Sequence, residues 1–394
     1  MTTLYVIMYH HTSLCCPLIE PPVMALAHWQ IPAQIGAMAF QTLKSPSYNG
    51  LILARWLALV AVLIIAIVVV GGITRLTESG VSITQWNVIS GTLPPLGETA
   101  WQAEFSKYQQ TPQYILVNGP AGMTLGTYKV IFFWEWVHRL LARGIVVVFA
   151  LPLVWFWARR TIPAGYKPRL IALLALLGLQ GAAGWWMVKS GISVDVKVSH
   201  FRLATHLLLA LISLAGMVWT ALDLVPARSS ARLPARPPAR LRPIAIVTLG
   251  ALVVQLMLGA WVAGLRAGVV AGAGWFNWQA WPLMQGRFWP DGIDWGHGVL
   301  FAACHDPYLI HFVHRWWAWV VVALMVVLAR RVKATGNRPA AIALHSAFGT
   351  QVLLGIATVW SGVWLPIAVL HQLTGALLVV ATTWAAHAVG RRTV

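Results

Sequence analysis

Apolar stretches recur eight times along this chain, at about 53–72, 130–158, 168–188, 201–222, 243–264, 310–331, 339–361 and 364–388. Each approaches the ~20 residues that an α-helix needs to cross a bilayer. Hydrocarbon leaves no backbone N–H or C=O a partner outside the chain, so only helices and closed barrels span it. Runs of this length predict helices, and the chain reads as an all-α, polytopic membrane protein with eight transmembrane helices.

The second stretch carries an added constraint. Its uncharged part, 144–158, spans only about 22 Å at 1.5 Å per residue, short of the ~30 Å hydrocarbon core. To cross, the helix must continue back through Arg143, Arg139, His138 and Glu135. Ionisable groups at that depth are costly and face a protein interior or a cavity. The sixth stretch is similar, because 316–329 is too short without His314.

Composition agrees with this pattern: 59% of the 394 residues are hydrophobic and 10% are charged, against roughly 25% charged in soluble domains. The net charge of +18 would suggest nucleic acid in a soluble protein. Here Arg and Lys gather in alternate connections instead. Arg159, Arg160, Lys167 and Arg169 follow the second span, and Arg228, Arg232, Arg236, Arg240 and Arg242 follow the fourth. Arg330, Arg331, Lys333 and Arg338 follow the sixth, and Arg391 and Arg392 end the chain. By the positive-inside rule both termini are cytoplasmic, and spans two, four, six and eight run from outside to inside. The expected surroundings are membrane lipid, with no nucleic acid.

The Pro/Ala-rich basic linker 223–242 separates two halves, 51–222 and 243–394, that read as repeats. Span two has Glu135, His138 and Arg139 where span six has His311, His314 and Arg315. Span four carries His206 and span eight His371, while span three has Gln180-Gly181 and span seven Gln351 with Gly355. Both halves place a long outer loop after their first helix, at about 73–129 and 265–309. With four helices each, the halves share one orientation, which predicts two four-helix bundles related by a pseudo-twofold axis along the membrane normal.

His138, His206, His314 and His371 each lie a few residues into an even-numbered span, at similar depth in the outer part of the bilayer. Neutral imidazole is a strong iron ligand, and facing histidines on two helices are how bundles hold cofactors. Two bis-histidine pairs follow, His138 with His206 and His314 with His371, and haem is the ligand that suits them. Glu-x-x-His occurs once rather than twice, which speaks against a di-iron bundle. Glu135 and His311 precede their histidines by three residues and share their helix face. A carboxylate there is a proton acceptor, a charge stabiliser, or a partner for Arg139 or Arg143. A neutral imidazole suits an inert site. Arg139 and Arg315 either grip haem propionates or snorkel to outer headgroups.

The other histidines (His10, His11, His28, His200, His297, His305, His345 and His387) default to structural or solvated roles. Of the 23 tryptophans, Trp134, Trp136, Trp185, Trp186, Trp316 and Trp317 flank the histidines, and some of them are candidates to pack against a macrocycle. Cys15, Cys16 and Cys304 form no metal-ligand spacing. The first 50 residues read as an N-terminal extension resembling neither a transit nor a signal peptide, with Met24 and Met38 as alternative starts.

At these residues the chain resembles the haem A synthase family, in the form shared by proteobacteria and mitochondria. The matching segments are Gly71-Gly-Ile-Thr-Arg-Leu-Thr-Glu-Ser-Gly80, Ser82-Ile-Thr-Gln-Trp86, Ile89-Ser-Gly-Thr-Leu-Pro-Pro95 and Glu104-Phe105. They continue with Tyr108-Gln-Gln-Thr-Pro-Gln-Tyr114, Phe133-Trp-Glu-Trp-Val-His-Arg-Leu-Leu-Ala-Arg143, Gly184-Trp-Trp-Met-Val-Lys-Ser-Gly191, Arg202-Leu-Ala-Thr-His206 and His371-Gln372. The second half is more divergent, with Ala263-Gly-Leu-Arg-Ala-Gly268 and Val313-His-Arg315 its clearest matches.

The resemblance implies oxidation of a methyl group of haem O to the formyl group of haem A by successive hydroxylation, in a bacterial inner membrane. His138 and His206 would flank the substrate haem, with Glu135 acting in the chemistry, and His314 and His371 would ligate a resident haem b. Implied partners are haem O synthase (protohaem farnesyltransferase), an electron acceptor and a second copy in a homo-oligomer. The cysteine pair that some bacterial relatives carry in an outer loop is missing from 73–129. The alternative is a di-haem electron-transfer protein of the cytochrome b type.

Overall fold

A computed structural model describes residues 46–87, 90–193, 198–225 and 239–391. Among them ten α-helices form and no strand. They are α1 (Pro46–Leu76), α2 (Glu98–Tyr108), α3 (Leu125–Ala158), α4 (Lys167–Ser193), α5 (His200–Leu224), α6 (Pro243–Gly264), α7 (Val299–His305), α8 (Pro307–Ala334), α9 (Arg338–Trp360) and α10 (Leu365–Gly390). All but α2 and α7 are long and apolar enough to cross a bilayer, and the protein is a multi-pass membrane protein. Residues 1–45, and 226–238 of the linker, lie outside the described residues, so Cys15, Cys16, His10, His11 and His28 do too.

Local chemistry sets the helix starts. Thr124 caps α3 by accepting from Thr127 N–H, Asp306 caps α8 by accepting from Leu309 N–H at 2.8 Å, and Asn337 caps α9. Proline opens α8, where its missing N–H costs nothing. Helix α3 has 34 residues, about 51 Å of rise, well beyond the ~30 Å core. The surplus lies at its N-terminal end, where Tyr128 and Phe132 pack with Phe105 and Tyr108 of the first long loop. The requirement that this helix continue through Glu135 and His138 is met.

Within the first half α1 packs on α3 and α5, and α4 on α5; within the second, α6 packs on α8 and α9 on α10. Between halves, α5 meets α6 and α10, and α10 meets α1. One apolar core runs through both halves, from Leu53, Leu57 and Val60 through Leu214 and Met217 to Met325 and Leu328. Polar ties reinforce the seam. Arg75 donates to the carbonyls of Ala263 and Gly264 at 2.7 and 2.9 Å, at the carbonyl-rich end of α6. Gln372 donates to the Val68 carbonyl at 2.8 Å. Arg266, at left-handed φ of 54°, pairs with Glu78.

Candidate functional site

The four histidines come from α3, α5, α8 and α10. They precede the C-terminal ends of these helices, Ala158, Leu224, Ala334 and Gly390, by 20, 18, 20 and 19 residues. A constant rise of 1.5 Å per residue therefore puts them at nearly one level. All four are half-buried and line one cavity of about 1740 Å³ between the halves. The His138 and His206 rings lie 6.4 Å apart, centroid to centroid, and inclined at 64°.

Each histidine faces a glycine on the preceding membrane helix. A methyl group on Gly184 would lie 2.9 Å from His206 Cε1, on Gly259 3.0 Å from His314 Cε1, and on Gly355 3.1 Å from His371 Cε1. On Gly71 it would lie 3.3 Å from His138 Nε2. Glutamine amides approach three of the rings. Gln180 Nε2 is 3.2 Å from His206 Nδ1, Gln255 Nε2 is 3.2 Å from His314 Nδ1, and Gln351 Nε2 is 3.4 Å from His371 Nε2.

Glu135 is 3% exposed, one turn before His138, and lines the same cavity. Its Oε2 accepts from the Ser82 hydroxyl at 2.7 Å and from Ile83 N–H at 2.8 Å. Its Oε1 accepts from Arg139 Nε at 3.0 Å and Nη2 at 2.7 Å. Four donors thus saturate the carboxylate, two of them brought by the first long loop. Of the partners weighed from the sequence, Arg139 is the one it bonds. Arg139 further donates to the carbonyls of Gln85 and Ile83, at 2.9 and 2.8 Å.

The second half repeats this construction with an imidazole in place of the carboxylate. Arg315 Nε donates to His311 Nε2 at 3.1 Å, and Arg315 Nη1 donates to the Leu283 carbonyl of the second long loop. Both side chains are buried and line the cavity. Arg315 Nη2 and His311 Nδ1 have no partner among the described residues. Arg139 and Arg315 thus both donate to groups of this chain and line the cavity.

None of the six tryptophans singled out from sequence lines the cavity; Trp86, Trp281 and Trp319 do. Trp185 and Trp186 are exposed on the helix surface, and Trp136 Nε1 donates to the Thr92 carbonyl. Proximity in sequence to a histidine misled here, because neighbouring residues on a helix point about 100° apart. Trp281 and Trp86 arrive from the loops and stack on the Arg315 and Arg139 guanidiniums, at 5.1 and 5.6 Å. Gln255 of span five was also missed, because its repeat position in span one is Ile67; the shared signal is a glutamine four residues before the facing glycine, as in spans three and seven.

The remaining described histidines stay away from this level. His345 bonds its own helix at the Ala341 carbonyl, His200 bonds the Cys304 carbonyl, and His305 stacks on Phe301. His297 lies exposed near Asp294. His387 is buried against Asp223 at 2.8 Å, and Asp223 is also held by Arg169 at 2.6 Å.

Fold and site together define a polytopic helical membrane protein whose interior cavity presents two pairs of histidines at one level. Residues 54–383 match the family model described as cytochrome oxidase assembly protein (COX15-CtaA), and the chain belongs to that family. It is 67% identical over 345 residues to the haem A synthase of Novosphingobium aromaticivorans, covering 87% of this chain and 97% of that one. It is 58% identical to the haem A synthase of Erythrobacter litoralis, over 86% of this chain and 97% of the relative. With that of Sphingopyxis alaskensis it shares 54%, over 86% and 92%.

The residues fit haem. Two imidazole nitrogens each about 2 Å from a shared metal put the ring centroids roughly 6 Å apart, and His138 and His206 already stand at 6.4 Å. The lining of the cavity is mainly aliphatic, as a macrocycle requires, and the buried guanidinium nitrogen of Arg315 offers a donor for a carboxylate.

Proposed function

We propose that this protein is a haem A synthase, oxidising a methyl group of haem O to the formyl group of haem A by successive hydroxylation for cytochrome oxidase. The observation that carries this is Glu135, a carboxylate fixed by four donors one helical turn from His138, in a cavity where His138 faces His206. In this reading His138 and His206 ligate the substrate haem. His314 and His371 hold a resident haem b, which supplies a one-electron redox centre. Arg139 and Arg315 bond the propionates of the two haems, with Arg315 Nη2 the better placed donor.

Oxidising a methyl group draws electrons and protons from the carbon and passes through an electron-poor state. With both oxygens of Glu135 already accepting bonds, its role is that of a fixed negative charge rather than a proton acceptor. Such a charge, preorganised in a site with little water, stabilises a developing positive charge without reorganising. The loop residues Ser82 and Ile83 hold it in place. His311, at the equivalent position of the other half, brings no carboxylate, in keeping with a haem that transfers electrons and undergoes no chemistry. A cytochrome b type relay would have no use for this asymmetry.

The two halves are taken as pseudo-twofold related bundles. In support, the packing of α1 on α3 is matched by α6 on α8, and that of α5 on α6 by α10 on α1. The protein is assigned to a bacterial inner membrane with both termini cytoplasmic, on the strength of its basic alternate loops. Haem O synthase, an electron acceptor and a second copy of the chain are the proposed partners. Expression in a host that makes haem O but no haem A tests the function. Chromatography of extracted pigments should show haem A, and persistence of haem O alone would overturn it.

A further inference from the structure

The four glycines that face the histidines reveal a second register. Four residues earlier, one turn away on the same helix face, stand Gln180 before Gly184, Gln255 before Gly259 and Gln351 before Gly355. The matching position before Gly71 is Ile67. All four of these side chains line the cavity. Three rings therefore have an amide within 3.2–3.4 Å. Among the described residues no side chain hydrogen-bonds His138; at the corresponding place it has a hydrocarbon.

The amide oxygens of Gln180, Gln255 and Gln351 are buried and have no partner among the described residues. An unpaired buried acceptor beside an imidazole is costly unless the ring supplies the proton. A histidine that binds a metal through one nitrogen carries N–H on the other, and a glutamine turned end for end accepts it, giving up the bonds that Gln180 and Gln255 Nε2 donate to the His206 and His314 carbonyls at 3.0 and 3.2 Å. Partners of this kind fix the ring and raise its basicity, and removing them costs 10–100-fold in metal affinity.

Building on the haem A synthase reading, we propose that Gln180, Gln255 and Gln351 are positioning residues that clamp His206, His314 and His371, and that His138 is the one unclamped ligand. Both ligands of the resident haem are then gripped, so it stays bound through turnover. The substrate haem is gripped on the His206 face only. Its His138 face, the side of Glu135, is the face that loosens to admit haem O and release the product. Ile67 thereby sets which of two similar sites exchanges its haem.

The test uses the purified full-length protein carrying haem b and loaded with haem O. Release of each haem to excess apomyoglobin is timed and the two haems are separated by chromatography, with the low-spin EPR signal recorded alongside. Gln255→Leu should speed haem b loss about tenfold or more and shift that signal, and Gln255→Glu, which keeps an acceptor, should restore both. Ile67→Gln should slow haem O release by a similar factor, and Gln180→Leu should speed it. Unchanged release in Gln255→Leu, or failure of Gln255→Glu to rescue it, overturns the clamp. If Ile67→Gln does not accumulate, Gln180→Leu decides: haem O release equal to that of the unaltered protein overturns the asymmetry. Purified protein without any bis-histidine low-spin signal would instead overturn the underlying assignment of the histidines.

Discussion

Arg139 grips Glu135 from one turn further along the same helix, its Nε and Nη2 both bonding Oε1 at 3.0 and 2.7 Å. Arg315 grips His311 in the same register, through Nε at 3.1 Å. One scaffold thus carries a carboxylate with its counter-charge in one half and an imidazole beside a guanidinium in the other. If that carboxylate acts on the substrate, Glu135→Gln should stop haem A formation or stall it at a hydroxylated intermediate. The amide leaves Arg139 without its counter-charge and turns a donor towards other donors, so a loss of about 1.5–3 kcal/mol of stability should accompany it. Resident haem b should remain in the absorption spectrum. Normal haem A in pigment extracts of the variant would remove Glu135 from the chemistry.

Replacing His314 or His371 by Ala should remove the low-spin haem b spectrum from the purified protein. His345→Ala should not, because that ring bonds only its own helix at the Ala341 carbonyl. A double variant at 314 and 371 that kept the spectrum would show that the ligands lie elsewhere.

The glycines opposite the histidines make a sharper steric test. Gly259→Ala puts a methyl group 3.0 Å from His314 Cε1, tighter than carbon atoms normally approach, so the ring must shift. Haem b occupancy should fall, measured as pyridine haemochrome per protein. Gly250→Ala, on the same helix with nothing within 4 Å, should leave occupancy unchanged.

Asp223, His387 and Arg169 tie α5, α10 and α4 together far along the helices from the cavity. His387→Ala leaves a buried carboxylate one partner short and should cost about 1–3 kcal/mol, seen as a lower midpoint of thermal unfolding in detergent. Its haem spectrum and haem A yield should match those of the unaltered protein. A lost spectrum in the folded variant would connect this cluster to the site.

Membrane orientation is checked with reporter fusions. Positions 110 and 285 should report the outer side, and 163 and 335 the cytoplasm. A cytoplasmic signal at 110 would invert the assignment and move the cavity to the inner half of the bilayer.

Much was legible from sequence because a bilayer imposes simple rules. Eight apolar runs became eight helices, and the short uncharged part of the second run already required Glu135 and His138 to lie inside. Four histidines at matched distances from their helix ends were bound to share a level, since rise per residue is constant. What that arithmetic leaves open is rotation about each helix axis and the path of each loop. Trp185 and Trp186 follow Gly184 in sequence yet point outward, whereas Trp281, far from any histidine in sequence, arrives over Arg315.

The sequence by itself determined the helical class, the eight spans and the depth of the four histidines within them, because hydrophobic length and side-chain chemistry are local properties. Only the tertiary structure decided which groups meet. It closed the carboxylate of Glu135 with Ser82 and Ile83 from a loop some fifty positions away. It also set Gly71, Gly184, Gly259 and Gly355 against the four rings, with Ile67 rather than a glutamine one turn before Gly71. These relations depend on how helices rotate and dock against one another, and packing across the whole bundle sets that rotation.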